Sequence, residues 1–521
     1  MADGLRAPSG TYNAADDMVD RNVREGRGGK VAFIDPTRRL TYGEVQQGCD
    51  RFANALRRLG IGRERRILVV MLDTVDLPIV FWGAIKAGVV PIPVNTLLTA
   101  DHWRFMIENS RADAVVIAGE PYDRAAPMLA ELTQQRPLQV ILSDRDGDGR
   151  THGLQALLAV SNAGFAAADT HADEVAFWLY SSGSTGAPKG TRHVHASPML
   201  TARAFAQGVL GVTRDDVFFS AAKLFHAYGL GNGMSFPMAV GATAVLLPGR
   251  PTPDSVIDTM RAHQPTIFCG VPTLFAAMLA SPALDKGAGS SRLRLCTSAG
   301  EALPEDIGRR WQQQVGCEVI DGIGSTEMLH IFVSNRPGSV CYGSSGTPVP
   351  GYEAKLLDDN DEPVPVGEIG ELVVKGPTAA EGYWLQRDKT RRTFRGEWTY
   401  TGDKYRVGEN GNYFYCGRTD DMFKVSGIWV SPFEVESALV THKAVLEAAV
   451  IGKKDADGLI KPKAFVVLKP GVASDEALFE ELKNHVKAQA GMWKYPRWVE
   501  VRPDLPKTIT GKIQRFMLRE E

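Results

Sequence analysis

Tyr180-Ser-Ser-Gly-Ser-Thr-Gly-Ala-Pro-Lys-Gly190 decides how this chain is read. An apolar run, Val175-Ala-Phe-Trp-Leu179, precedes it and predicts a buried strand. Gly183 and Gly186 allow the backbone to turn tightly and aim N–H groups at an anion, while Ser181, Ser182, Ser184 and Thr185 add hydroxyl donors and Lys189 a point charge. This is the chemistry of a phosphate cradle, and it implies a nucleotide. The P-loop pattern G-x-x-x-x-G-K-[ST] does not fit. With its lysine set on Lys189, Pro188 stands at the second glycine and Gly190 at the magnesium-binding hydroxyl. Proline has no N–H to donate and glycine no hydroxyl. A flexible Ser/Gly linker would need neither the strand nor the Pro-Lys-Gly ending.

Bulk properties narrow the setting. A chain of 521 residues exceeds one ordinary core, so at least two domains are expected. Hydrophobic residues make up 44% and charged residues 23%, as in globular proteins that fold in water. The net charge of −2 leaves no basic excess for nucleic acid or an anionic membrane. Six cysteines (Cys49, Cys269, Cys296, Cys317, Cys341, Cys416) lack C-x-x-C spacing and read as reduced thiols. Residues 1–10 carry no apolar signal core, and the apolar runs are too short or too interrupted to span a bilayer. A cytoplasmic protein is expected.

Along the chain, Thr41-Tyr-Gly-Glu44 matches a capping box opening a helix with Val45, Cys49, Phe52 and Leu56 on one face. A strand at Arg66–Val70, a helix near 77–87 and a strand at Val89–Val94 indicate a parallel sheet with covering helices. The alternation recurs at 113–145 and at 217–275. Around 340–415, short strands with Gly and Pro turns predict an antiparallel or barrel-like subdomain. After Asp421 a strand at 423–425, a helix near 432–440, strands at 445–452 and 463–468, and a helix at 475–489 predict a small α+β domain of about a hundred residues. The expected class is α/β: a large domain, 1–419, of parallel sheets plus the barrel-like part, and a small one, 420–521. Asp144-Arg-Asp-Gly-Asp-Gly149 copies half of a calcium loop, but Gln155 stands where a bidentate glutamate is required, so an acidic turn is the reading.

Six elements in order resemble the adenylate-forming superfamily of acyl-CoA synthetases, luciferases and adenylation domains. Besides 180–190 they are Ser298-Ala-Gly-Glu-Ala302, Asp321-Gly-Ile-Gly-Ser-Thr-Glu327, Tyr400-Thr-Gly-Asp403, Gly417-Arg-Thr-Asp-Asp421 and Pro506-Lys-Thr-Ile-Thr-Gly-Lys512. The resemblance implies ATP, Mg2+ and coenzyme A as ligands. The 181–189 segment would hold the β- and γ-phosphates, Ala299, Gly300 and Glu301 the adenine, and Asp321, Gly322 and Ile323 would also belong to the ATP/AMP site. Thr326 would bond the α-phosphate and Glu327 would coordinate Mg2+. Asp403 and Arg418 would reach the ribose. Lys512 would bridge the substrate carboxylate and the α-phosphate. The small domain would then rotate about Asp420, withdraw Lys512 and bring Lys424, Ser426 and Gly427 to a pantetheine tunnel. Gly427 also suits an ordinary turn. Acylation of Lys512 would delete its charge and silence the enzyme, and a homodimer is left open.

The runs Ala221-Ala-Lys-Leu-Phe225, Ala227-Tyr-Gly-Leu-Gly-Asn232 and Asp321 to Phe332 resemble benzoate-CoA ligases. That likeness implies an aryl pocket of Ala227, Tyr228, Gly324, His330 and Ile331, with the glycines at 322–324 leaving room for the ring. His226 departs from the benzoate pattern, which has phenylalanine. It fits a gate between pantetheine and acyl group, a partner for a ring substituent, or a core histidine. Benzoate, hydroxybenzoate and aminobenzoate all stay open. A free-standing module that loads an acyl-carrier protein is a second class. A non-catalytic nucleotide sensor is a third, disfavoured because Lys512, Glu327 and Asp403 are all present.

Overall fold

In the computed structural model the described residues are 5, 8, 10–183, 186–425, 428–492, 494–507 and 513–519. Packing divides the chain into two units, Met1–Ala354 with Val374–Thr399, and Lys355–Val373 with Tyr400–Glu521.

The first unit holds two α/β sheets. The larger has nine strands in the order Thr347–Pro348, Ile331–Ser334, Val319–Gly324, Leu295–Ser298, Ile267–Gly270, Val217–Ser220, Thr243–Val245, Val31–Ile34 and Arg39–Thr41. Its six central strands, Val319–Gly324 through Val31–Ile34, run parallel, and the outer pairs are antiparallel. The second sheet is parallel throughout, ordered Val90–Pro93, Arg66–Val70, Ala114–Ile117, Gln139–Leu142 and His152–Gly153. Strands covered on both faces read as continuous apolar runs, which is why Arg66-Ile-Leu-Val-Val70 is buried from Ile67 onward. Helix Tyr42–Arg58 opens with the expected capping box: Thr41 N–H donates to Glu44 at 2.7 Å, and the Thr41 hydroxyl accepts Glu44 N–H at 3.3 Å. Such a cap contributes about 1 kcal/mol. Val45, Cys49, Phe52 and Leu56 are all fully buried.

One local reading changes. The apolar run at 175–179 is not followed by a loop: strand Val175–Gly183 pairs antiparallel with Gly186–Val194, with Tyr180 opposite Gly190 and Ser181 opposite Lys189. Strand Gly382–Tyr383 joins the hairpin's other edge, Tyr383 opposite Thr191. A ladder needs only backbone N–H and C=O groups, which serine and glycine supply as well as valine does. Apolar patterning therefore marked where burial ends, not where pairing ends.

Strand Trp398–Val407, most of it in the second unit, pairs antiparallel with Tyr413–Arg418 within a five-stranded sheet, which is what the short strands around 340–415 become. Beyond it, helices Pro432–Val440 and Glu476–Ala490 pack with the sheet Val445–Lys454, Ile460–Leu468 and Trp498–Val501 around Val435, Leu439, Val450, Val466, Leu482 and Val486. These elements lie within a residue or two of the expected ranges, apart from the further strand 498–501 and the second strand, which starts at Ile460, three residues before the expected 463. Among the described residues, no helix is long and apolar enough to cross a membrane, and all six cysteines are free thiols.

Candidate active site

The glycine-rich hairpin places three polar groups together. Side chains at alternate positions of a strand share a face, so Ser181, Lys189, Thr191 and the cross-strand Tyr383 lie on one side of it. The Tyr383 hydroxyl donates to Glu327 Oε1 at 2.7 Å. Lys189 Nζ stands 3.4 Å from that hydroxyl, 4.0 Å from Glu327 Oε1 and 4.5 Å from the centroid of the Tyr383 ring. The Lys189 and Glu327 side chains keep 18% and 16% of their surface exposed, so the cluster opens to solvent. The Ser181 hydroxyl is buried and finds no partner among the described residues. An ammonium, a phenol, a carboxylate and an unspent hydroxyl suit a phosphate chain carrying a divalent cation. Ser182, Gly183 and Gly186 are on the hairpin backbone; Ser184 and Thr185, at its tip, lie outside the described residues.

Thr326 and Glu327 sit in a turn, 325–329, that follows strand Val319–Gly324. Four contacts hold it: Leu329 N–H to Thr326 O at 3.2 Å, Met328 N–H to the Ser325 hydroxyl at 3.2 Å, the Thr378 hydroxyl to Met328 O at 2.7 Å, and Ala380 N–H to Glu327 O at 2.9 Å. Leu329 is left-handed at φ 66°, a conformation disfavoured for leucine that persists because these bonds over-determine the turn.

The expected adenine segment lies at the carboxyl ends of two neighbouring parallel strands, with Ser298 opposite Asp321, the usual place for a ligand in such sheets. Ala299 is buried; Gly300, left-handed at φ 96°, is exposed, and Glu301 is half-buried beside it. Asp321 is 4% exposed. Burial pushes its carboxyl up to about 8, and Oδ1 has no partner among the described residues. Ile323, half-buried, lies two residues further along the same strand.

At two of the glycines expected in the aryl pocket a side chain would meet the neighbouring strand: a Cβ at Gly322 would lie 2.7 Å from Val333 O, and one at Gly324 2.6 Å from His330 O. The antiparallel strand Ile331–Ser334 occupies that space, so glycine is required for strand approach. His330 is buried among Phe236 (ring centroids 4.5 Å apart), Phe205 (5.1 Å) and Tyr228 (5.6 Å), and neither ring nitrogen has a hydrogen-bond partner among the described residues. Burial pulls its pKa down to about 3, which keeps the imidazole neutral. Ile331 is buried beside it. Tyr228 is tied by its hydroxyl to Thr297 at 2.7 Å, so it presents a fixed aromatic wall. His226 is not a core histidine. It is exposed, stands at the N-cap position of helix Ala227–Leu230 without a side-chain cap bond, and lies with its ring 4.5 Å from that of Phe225.

In the second unit, Arg418 Nη1 donates to Asp403 at 3.0 Å and to Thr401 O at 3.1 Å, and the Asp403 carboxylate holds the guanidinium pKa up. The pair is thus ready-made, one charge orienting the other. A turn follows at 419–421 that includes Asp420, with Asp421 N–H donating to Arg418 O at 3.0 Å. Lys424 is exposed and stacks its ammonium 4.5 Å from the Trp429 ring centroid. Ser426, Gly427 and Lys512 lie outside the described residues. Asp144 and Asp148, of the acidic turn, direct oxygens at the backbone N–H groups of Gly119, Arg150 and Thr151.

Sequence reasoning missed Tyr383, whose partner Glu327 is 56 residues away and whose neighbour Lys189 is 194 away. Only the Gly-Tyr-Trp run at 382–384 marked it, and no local rule assigns such a tyrosine to a carboxylate.

Residues 19–384 match the AMP-binding enzyme family and residues 434–512 match the AMP-binding enzyme C-terminal domain. The chain belongs to this family. As an AMP-binding enzyme it is 55% identical, over 98% of its length and 95% of the relative's, to a 4-hydroxybenzoate--CoA/benzoate--CoA ligase of Rhodopseudomonas palustris. It is 56% identical, over 98% of its length and 96% of the other's, to a benzoate--CoA ligase of Thauera aromatica. Its fold superposes on the crystal structure of a benzoate CoA ligase from Burkholderia xenovorans LB400 with a TM-score of 0.89, at 51% identity, covering 98% of this chain and all of that one.

Proposed function

We propose that this protein is an ATP-dependent aryl-CoA ligase that activates benzoate or a substituted benzoate as the acyl-adenylate and passes the acyl group to coenzyme A. One observation carries the reading: the Lys189–Tyr383–Glu327 cluster stands at the base of a hydroxyl-rich hairpin, in a fold shared with ligases named for benzoate. An aromatic nest of Tyr228, Phe205, Phe236 and the neutral His330 supports an aryl acid over an aliphatic one.

In the first half-reaction a carboxylate oxygen of the acid attacks the α-phosphorus, the bond to the β-phosphate breaks, and pyrophosphate leaves. Charge on phosphoryl oxygens is then the quantity to stabilise. Lys189 and the hairpin hydroxyls would hold the departing phosphates, and Thr326 the α-phosphate. Glu327, oriented by Tyr383, would be the protein's ligand to Mg2+. No cluster of three metal-ligating side chains exists among the described residues, and a single carboxylate suits a cation that arrives with its phosphates and waters. Lys512 would neutralise the repulsion between the two anions. In the second half-reaction the CoA sulfur attacks the acyl carbon and AMP leaves. We place the moving boundary at 419/420, with Asp420 as hinge and with Lys424, Ser426 and Gly427 admitting pantetheine. Acylation of Lys512 would stop the first step alone. A cytoplasmic setting, where ATP and CoA are available, fits this chemistry.

A pyrophosphate-release screen over benzoate, its hydroxy and amino derivatives, cyclohexanecarboxylate and short aliphatic acids, paired with detection of the CoA thioester, tests the reading. Turnover is expected with the benzoates. Preference for an aliphatic acid, or pyrophosphate release with no thioester formed on CoA, would refute it.

A further inference from the structure

The turn 221–226 leaves strand Val217–Ser220 and delivers His226 to the start of helix Ala227–Leu230. Lys223 lies in the middle of that turn. Its ammonium donates to three successive carbonyls, Leu247 at 2.5 Å, Pro248 at 3.2 Å and Gly249 at 2.7 Å, just beyond strand Thr243–Val245. Asp73, just past strand Arg66–Val70 of the other sheet, lies 3.7 Å from the same ammonium. Both Asp73 oxygens also face the N–H of Leu224 at 3.4 Å. Asp73 and the Leu224 side chain are buried. Three donors on an ammonium meet three carbonyls, and a carboxylate balances the charge, which is what a largely desolvated lysine requires.

We propose that Lys223 and Asp73 are positioning residues for the acyl pocket, clamping the 221–226 turn to the carboxyl ends of both sheets and so fixing where His226 and Tyr228 stand. Neither side chain needs to touch substrate. The transmission is short and stiff. His226 N–H donates to Lys223 O at 3.0 Å, and a Cβ at Gly229 would lie 2.1 Å from that same oxygen, so the helix start is pressed onto the turn. Tyr228 is held on the far side by Thr297. Freeing the ammonium would let the turn drift and change the pocket wall, while the Lys189–Tyr383–Glu327 cluster is carried on other elements and stays in place. Burial lowers the Lys223 pKa and raises that of Asp73 to about 6, with the ion pair opposing both, which agrees with a pair buried for a positional purpose. A buried ion pair can also be mere structure, so the test separates the two.

The inference rests on the aryl-CoA ligase reading, which the wild-type arm checks. Lys223→Met, Lys223→Arg and Asp73→Asn are compared with wild type for KM of benzoate, KM of ATP, the benzoate to 4-hydroxybenzoate ratio of kcat/KM, and thermal midpoint. Lys223→Met is expected to raise the benzoate KM about ten-fold and move the acid ratio about five-fold, with the ATP KM within about two-fold. Lys223→Arg, which retains charge and donors, recovers most of the loss. Should Lys223→Met not fold, Asp73→Asn keeps an acceptor for Leu224 N–H and every Lys223–carbonyl contact, and is expected to raise the benzoate KM about three-fold at unchanged ATP KM. Hydrogen exchange on the ligand-free proteins should show faster exchange confined to 221–230. A lowered midpoint with unchanged KM values and ratio, or both KM values rising in parallel, overturns the proposal, as does unaltered exchange at 221–230. A wild type inactive on every aryl acid would refute the ligase reading alone, because the exchange measurement still decides the clamp.

Discussion

Tyr383→Phe removes one oxygen and leaves the ring that the Lys189 ammonium covers at 4.5 Å. What is lost includes the hydrogen bond to Glu327 at 2.7 Å, the contact to Lys189 at 3.4 Å and a long contact to the Thr393 hydroxyl at 3.5 Å. A hydrogen bond to a charged group is worth about 1.5–3 kcal/mol. Glu327 and Lys189 retain 16% and 18% side-chain exposure, and that partial solvation favours the lower half of the range. At 1.36 kcal/mol per decade, the loss corresponds to about ten- to forty-fold in rate. The loss should fall on adenylation, where Glu327 and Lys189 would face the phosphates under the proposed function, and leave thiol transfer alone. Benzoate-dependent ATP–pyrophosphate exchange measures the first, and thioester formation from supplied benzoyl-adenylate the second. Exchange should drop by that factor and the Mg2+ needed for half-maximal rate should rise, with transfer held within about two-fold. Exchange within about two-fold of wild type, or equal losses in both half-reactions, would refute the role given to the cluster.

Lys512→Ala should abolish acyl-adenylate formation while sparing thioester formation from supplied acyl-adenylate; equal loss of both would remove the assigned role. His226→Phe should favour benzoate over the hydroxybenzoates in kcat/KM, and an unchanged preference would exclude His226 from specificity. His330, pulled down to about 3, stays neutral in the fold while the unfolded chain takes up a proton below its ordinary value near 6.5, so its contribution is present above 6.5 and is lost as pH falls toward 3. Denaturant titrations at pH 7.5 and 5 should therefore show an acid-induced loss about 2 kcal/mol smaller in His330→Phe than in wild type, and equal losses would sink the argument. Asp321, pushed up to about 8, has the opposite sign: its contribution is complete below about 4 and lost as pH rises through 8, so wild type should weaken relative to Asp321→Asn over that window. A flat difference would contradict it.

The sequence by itself determined what is local. The Thr41–Glu44 box, the buried face of helix Tyr42–Arg58, the strand Arg66–Val70 and helix Pro432–Val440 follow from capping and periodicity, forces that act within a turn or two of the chain. The residue types at 180–190 likewise pointed to phosphate chemistry before any distance was known, whereas 321–327 did so only through its likeness to an adenylate-forming motif. Tertiary structure decided what depends on register between distant strands. It made the cradle a hairpin, brought Tyr383 to Glu327, filled the space beside Gly322 and Gly324 with the strand Ile331–Ser334, and closed Lys223 on carbonyls 24 to 26 residues ahead. Pairing and burial of this kind depend on which surfaces meet, and side-chain spacing along one strand holds no record of its neighbour.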